Sequence, residues 1–188
     1  MPEPVPSEVT APVPAQAPVA SPAPAPVRMS RPVAAPAEAL PFDHASYEAV
    51  TTPEALAVWV ARIRERGYVA FDTETTSLDE MRADLVGISL CVDAGVACYI
   101  PIGHRQGGGD LFGASALVEG QLPLQQVLDA LKPVLEDDAI LKIGQNIKYD
   151  LKIMARYGIR LAAIEDTMLL SYAMHAGLHT HGMDELSD

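Results

Sequence analysis

The sequence predicts an α/β domain in which a mixed sheet carries helices on both faces. Three observations lead there. The apolar pattern alternates between the helical period and strand-like runs, and the marked segments follow the order helix, three strands of which two form a hairpin, helix, strand, helix, strand, helix. Side chains able to build a core begin only after residue 41. A hairpin followed by strands that alternate with helices requires antiparallel and parallel neighbours in one sheet.

The distribution of prolines sets the boundary of that domain. Of 16 prolines, 12 lie in residues 1–41, where Ala-Pro and Val-Pro pairs recur and Leu40 is the single leucine. Such a composition favours extended polyproline II and cannot bury enough apolar surface to fold. At about 3.1 Å per residue it reaches on the order of 120 Å. The expectation for 1–41 is a disordered interdomain linker, with a partnerless N-terminal tail as the bland alternative. Residues 42–188 form a stretch of ordinary domain size.

Charge narrows the function classes. The chain carries net −12, of which 22 acidic against 11 basic residues leave −11 on residues 42–188. That excess argues against a broad basic face for nucleic acid. Divalent cations reverse a local field, so any nucleic-acid role must run through bound metal. The N-terminus lacks a basic and apolar leader, and no apolar run reaches the roughly 20 residues that span a bilayer. A cytoplasmic protein without membrane attachment is expected. Cys91 and Cys98 lie in apolar runs and read as reduced, buried thiols rather than a disulfide or metal pair.

The elements follow in order. Thr51 or Thr52 can cap a helix with Pro53 in its first turn, Glu54 at its positive end, and Leu56, Val58, Trp59, Val60 and Ile63 as its apolar side; Arg64, Arg66 and Gly67 close it. GYVAFDTET reads as a strand, and LVGISLCV (85–92) and VACYIPI (96–102) as two more, joined through Asp93-Ala94-Gly95 as a hairpin. A Gly-rich loop leads to an amphipathic helix at 122–136. AILKIGQ (139–145) reads as a buried strand and 146–158 as a helix that Asn146 can cap and Gly158 ends; IRLAAI is a short strand before the helix DTMLLSYAMHAG. HGMDELSD reads as the opening turn of a further helix.

Two segments carry chemistry. In Phe71-Asp72-Thr73-Glu74-Thr75-Thr76-Ser77-Leu78-Asp79, Asp72 and Glu74 stand two apart on a strand, so both carboxylates project from one face. They repel unless a cation lies between them, and hard divalent ions take such oxygen ligands. Gly144-Gln145-Asn146-Ile147-Lys148-Tyr149-Asp150 runs from a strand end into a helix, the place where open sheets bind ligands. Read alone, an Asp-x-Glu such as Asp72 and Glu74 is more often a pair of solvated turn residues, and Asp150 a dipole-favourable residue near a helix N-terminus.

Together, FDTETTSLD and, about seventy residues on, GQNIKYD resemble the first two motifs of the 3′-to-5′ proofreading exonuclease of bacterial DNA polymerase I. That is a DEDD exonuclease family with a ribonuclease-H-like (DnaQ-like) fold. LVGISL, YIPIGH, LKPVLED, IMARYGI, DTMLLSYAM and HGMDEL follow in the family's order, so the likeness covers about residues 50–188. It implies two divalent metal ions, Mg²⁺ or Mn²⁺. Asp72 would bridge both, Glu74 would hold the one that activates water, and Asp150 would support the second through water. Thr75 and Leu78 match positions that contact the terminal nucleotide, and Gln145, Asn146 and Tyr149 match positions along the path of a single-stranded DNA 3′ end. The Pro/Ala-rich stretch matches the place where such polymerases join a 5′-nuclease domain to the exonuclease.

One departure accompanies the match. The family's third motif, Tyr-x-x-x-Asp, does not occur after Asp150, and Asp166 and Asp184 fall in segments resembling non-ligand parts of the family. The expectation is a C-terminally incomplete exonuclease domain whose polymerase domain is missing. Two alternatives stay open, an RNA exonuclease resembling ribonuclease D and a catalytically impaired fragment that binds metal or strand ends. His175, His179 and His181 read as a solvated helix end rather than a zinc site, Gly107-Gly108-Gly109 as a flexible connection, and Trp59 and Tyr157 as packing residues.

Overall fold

A computed structural model of the chain describes residues 46–106 and 116–187. The stretch 1–41 read as a linker, and the Gly107-Gly108-Gly109 connection, lie outside the described residues. The order is β1 (Glu48–Ala49), α1 (Pro53–Arg66), β2 (Tyr68–Thr75), β3 (Leu85–Asp93), β4 (Val96–Pro101), α2 (Leu124–Leu135), β5 (Leu141–Gly144), α3 (Lys148–Arg156), β6 (Ile164–Asp166), α4 (Thr167–His175) and α5 (Met183–Ser187).

The strands form one mixed sheet in the order β1-β4-β3-β2-β5-β6. β2, β3 and β4 are antiparallel neighbours, while β1 joins β4 and β5 and β6 extend from β2 in parallel. The expected hairpin is β3–β4, turned at Gly95 with φ +75°. α1 starts as the sequence suggests: Thr52 Oγ1 accepts from the Ala55 N–H at 3.2 Å, Pro53 opens the first turn, and Gly67 at φ +73° ends it.

Alternation along the central strands separates two faces. Val69 and Phe71 of β2, Ile88 and Leu90 of β3 and Ile100 of β4 are buried in one cluster with Leu56, Trp59 and Ile63 of α1 and Val127, Leu131 and Val134 of α2. Ala70 and Asp72 of β2, Ser89 and Cys91 of β3 and Ala97 and Tyr99 of β4 lie on the other face and are only half-buried. There they line a groove of about 720 Å³ that Met183 and Leu186 of α5 also border. Helices therefore stand on both sides of the sheet, as expected.

Four readings need correction. β1 was not expected; two residues are too few to show a period. IRLAAI is not a strand along its length: Ile159, Leu161 and Ala162 are buried as a strand's would be but pair in no ladder, Ala163 turns to φ +47°, and β6 begins only at Ile164. Asn146 does not cap α3, because it takes φ +53° and Ile147 holds the cap position without a side-chain bond. Gly158 follows the helix end at Tyr157 with φ +74°. Trp59 and Tyr157 are packing residues: the Trp59 indole N–H donates to Glu48 at 2.9 Å, and the Tyr157 hydroxyl accepts from the Leu85 N–H at 3.0 Å. Cys98 is buried, Cys91 is half-buried, and both are free thiols.

Candidate active site

The site is built where β2 and β5 part. β5 pairs with β2 only from Tyr68 to Ala70, so beyond Ala70 the β5-side edge of β2 has no ladder partner. Helix α3 fills the gap. The Asp150 carboxylate accepts the Thr73 N–H at 3.0 Å and the Thr73 hydroxyl at 2.5 Å. Thr73 is the residue between Asp72 and Glu74, so α3 is pinned to the strand at the centre of the acidic motif.

Electrostatics tie the three carboxylates together. Burial, then the charge of Glu74, raises the Asp72 carboxyl above its ordinary range. Burial pushes Asp150 up to about 6; its bonds from Thr73 oppose that shift and the charge of Asp72 adds to it. Among the described residues no group of three or more His, Cys, Asp or Glu side chains is arranged to hold a metal ion, and one Asp150 oxygen is engaged by Thr73. In chemistry the set does fit a hard divalent cation. Its donors are all carboxylate oxygens, and burial, with neighbouring negative charge, disfavours the charged forms of Asp72 and Asp150 that a cation would favour.

The residues expected along a nucleic-acid path fall into two groups around α3. The Thr75 and Tyr149 hydroxyls and the Ser77 carbonyl lie within hydrogen-bond distance of one another, so one hydroxyl donates to the other and that one donates to the carbonyl. Leu78 stands apart, 94% exposed. One face of α3 steadies the loop that carries it: Lys152 pairs with Glu80, and Arg156 donates to the Glu80 and Ala83 carbonyls. Gln145 donates to the His181 carbonyl at 2.7 Å and accepts from the Thr167 hydroxyl at 2.5 Å, while Asn146 is exposed.

Asp166 explains how Asn146 keeps its left-handed conformation. Its carboxylate accepts the Asn146 and Ile147 N–H groups at 3.1 and 3.2 Å and the Met168 and Leu169 N–H groups at 2.9 and 3.3 Å. One buried side chain thus caps α4 and closes the entry to α3. His181 pairs with Ser171 at 2.9 Å, and the rings of His175 and His181 lie 5.5 and 5.1 Å from that of His179.

Sequence reasoning missed Tyr99 and His104. The Tyr99 hydroxyl meets His104 Nε2 at 2.6 Å on the open face, and burial followed by the charge of Glu74 raises the phenol above its ordinary value. The two ends of YIPIGH were the available signal, but nothing in that string shows which face it joins.

A profile of the 3′-5′ exonuclease found in family A DNA polymerases matches residues 47–188. The chain belongs to that exonuclease family. Among curated relatives, DNA polymerase I of Rhizobium leguminosarum is 46% identical over 158 residues, covering 79% of this chain and 16% of the relative. DNA polymerase I of Pseudomonas aeruginosa is 38% identical over 144 residues, covering 75% and 15%. The chain thus spans about a sixth of the length of these relatives. Among solved structures, Escherichia coli RNase D superposes with TM-score 0.50 at 22% identity, covering 70% of this chain and 30% of that one. A Trypanosoma brucei RNase D complex with GMP gives 0.52 at 17%, covering 68% and 35%. These likenesses show the exonuclease family's ribonuclease-H-like fold. Among the described residues no helix is long and apolar enough to cross a membrane.

Proposed function

We propose that this exonuclease-family domain removes mispaired 3′-terminal nucleotides from DNA as the proofreading part of a DNA polymerase I. The observation that carries the reading is Asp150 bonded to Thr73, between the same-face pair Asp72 and Glu74, in a chain of this family. Asp72, Glu74 and Asp150 would hold two divalent ions, Mg²⁺ or Mn²⁺, which supply a nucleophilic water near neutral pH and neutralise charge on the phosphate. The reaction is hydrolysis: a water oxygen bonds to phosphorus, the bond to O3′ of the preceding nucleotide breaks, and that oxygen takes up a proton. A 5′-monophosphate leaves.

The chain's own residues place the strand. Leu78 offers an exposed apolar edge to the terminal base, and Thr75 would contact the same nucleotide. Gln145, Asn146 and Tyr149 present amides and a phenol to sugar and phosphate. Selectivity for a single-stranded 3′ end follows, because a paired end cannot reach the half-buried Asp72 and the buried Asp150. Residues 1–41 act as the linker to a 5′-nuclease domain and 42–188 as part of the exonuclease, with a polymerase domain in the same polypeptide, working on nucleoid DNA in the cytoplasm.

The test is Mg²⁺-dependent release of mononucleotide from a 3′-labelled oligodeoxynucleotide. Asp72→Ala is expected to cut the rate by at least ~100-fold. Undiminished activity in that variant, or faster degradation of competing RNA, overturns the reading.

A further inference from the structure

The open face of the sheet carries a polar pair that the three carboxylates do not account for. Asp72, Ser89 and Tyr99 pair in register across β2, β3 and β4, so their side chains share that face. In the next row Glu74 pairs with Gly87. Gly87 leaves a space that the Tyr99 ring fills: a Cβ built on Gly87 would lie 1.8 Å from the Tyr99 hydroxyl oxygen. The hydroxyl therefore occupies nearly the place of the side chain opposite Glu74. Directly opposed Cβ atoms in an antiparallel pair are about 4.5–5.5 Å apart. A glutamate reaches two further bonds beyond Cβ, enough for its carboxylate to meet the phenol.

His104 sets the direction of that phenol. Its Nε2 lies 2.6 Å from the Tyr99 oxygen, and its backbone is clamped by Gln121, whose Oε1 accepts the His104 N–H at 2.7 Å while Nε2 donates to the His104 carbonyl at 2.9 Å. An imidazole that donates from Nε2 occupies an acceptor site on the phenol and leaves its O–H free to point at the carboxylates.

We propose that Tyr99, oriented by His104, is a positioning residue of the exonuclease site that donates a hydrogen bond to Glu74 and fixes the direction of its carboxylate. The proposal rests on the assignment of Glu74 to metal binding and deepens it. An oriented ligand binds a cation more tightly than a swinging one, and loss of such outer partners commonly costs 10–100-fold in metal affinity or activity.

The experiment measures Mn²⁺ affinity by calorimetry and, on a 3′-labelled oligodeoxynucleotide, kcat and KM separately. Tyr99→Phe is expected to weaken Mn²⁺ binding and lower kcat about 10-fold each, with KM unchanged. In a Glu74→Gln background the same substitution is expected to change Mn²⁺ affinity less than about twofold. His104→Leu, at an exposed position, reproduces the loss, and His104→Gln, which keeps an N–H donor, restores it. Equal Mn²⁺ affinity in wild type and Tyr99→Phe, or an equal loss with and without Glu74, overturns the proposal. A wild-type chain that binds Mn²⁺ but releases no nucleotide overturns the exonuclease reading instead, while the Mn²⁺ comparison still decides the role of Tyr99.

Discussion

Asp150 pays for its position with an unfavourable charge. Its carboxyl is 2% exposed and held near 6 against an ordinary 3.8, so the folded state prefers the protonated form. The stability this group contributes is complete below pH 3.8 and is lost as pH rises through about 6. In chelator, the unfolding free energy of wild type relative to Asp150→Asn is expected to fall by on the order of 2–3 kcal/mol between pH 4 and 7. Asn keeps an acceptor for both Thr73 donors, so the difference isolates the charge. Denaturant titrations at the two pH values measure it. A pH-independent difference contradicts the burial argument, and Mg²⁺ at pH 7 is expected to reduce the deficit.

At the scale of elements, the junction of β5, α3, β6 and α4 hangs on Asp166. A cap is worth about 0.5–2 kcal/mol, and this carboxylate serves two helix starts. Asp166→Ala is expected to cost about 1–3 kcal/mol in denaturant unfolding and to raise KM for oligonucleotide more than it lowers kcat, since Asn146 loses its anchor. No loss of stability contradicts this role. The junction also shows where the sequence is silent. α1 and the β3–β4 hairpin were legible because their caps, turn glycine and periods are local. Asn146 was assigned a local cap, yet its partner comes from Asp166, 20 residues away. The buried 159–162 segment has a strand's apolarity, and only the backbone turn at Ala163 shows that it is not one.

For the whole molecule, the same limit applies to the site. Asp72, Glu74 and Asp150 were singled out by the resemblance of FDTETTSLD and GQNIKYD to an exonuclease family, and the structure brings Asp150 to Thr73, between the other two. Tyr99 was not, because it reaches the row of Glu74 only across β3 and through the space at Gly87. The domain's strong negative charge makes nonspecific cation binding on its surface a natural competitor to a built site. The most direct test of the central claim is therefore Mn²⁺ calorimetry at pH 7 on wild type and Asp72→Ala. Two ions bound by wild type, with at least one lost in Asp72→Ala, is the expected result; binding that Asp72→Ala leaves unchanged would place the ions elsewhere on the acidic surface and contradict the assignment.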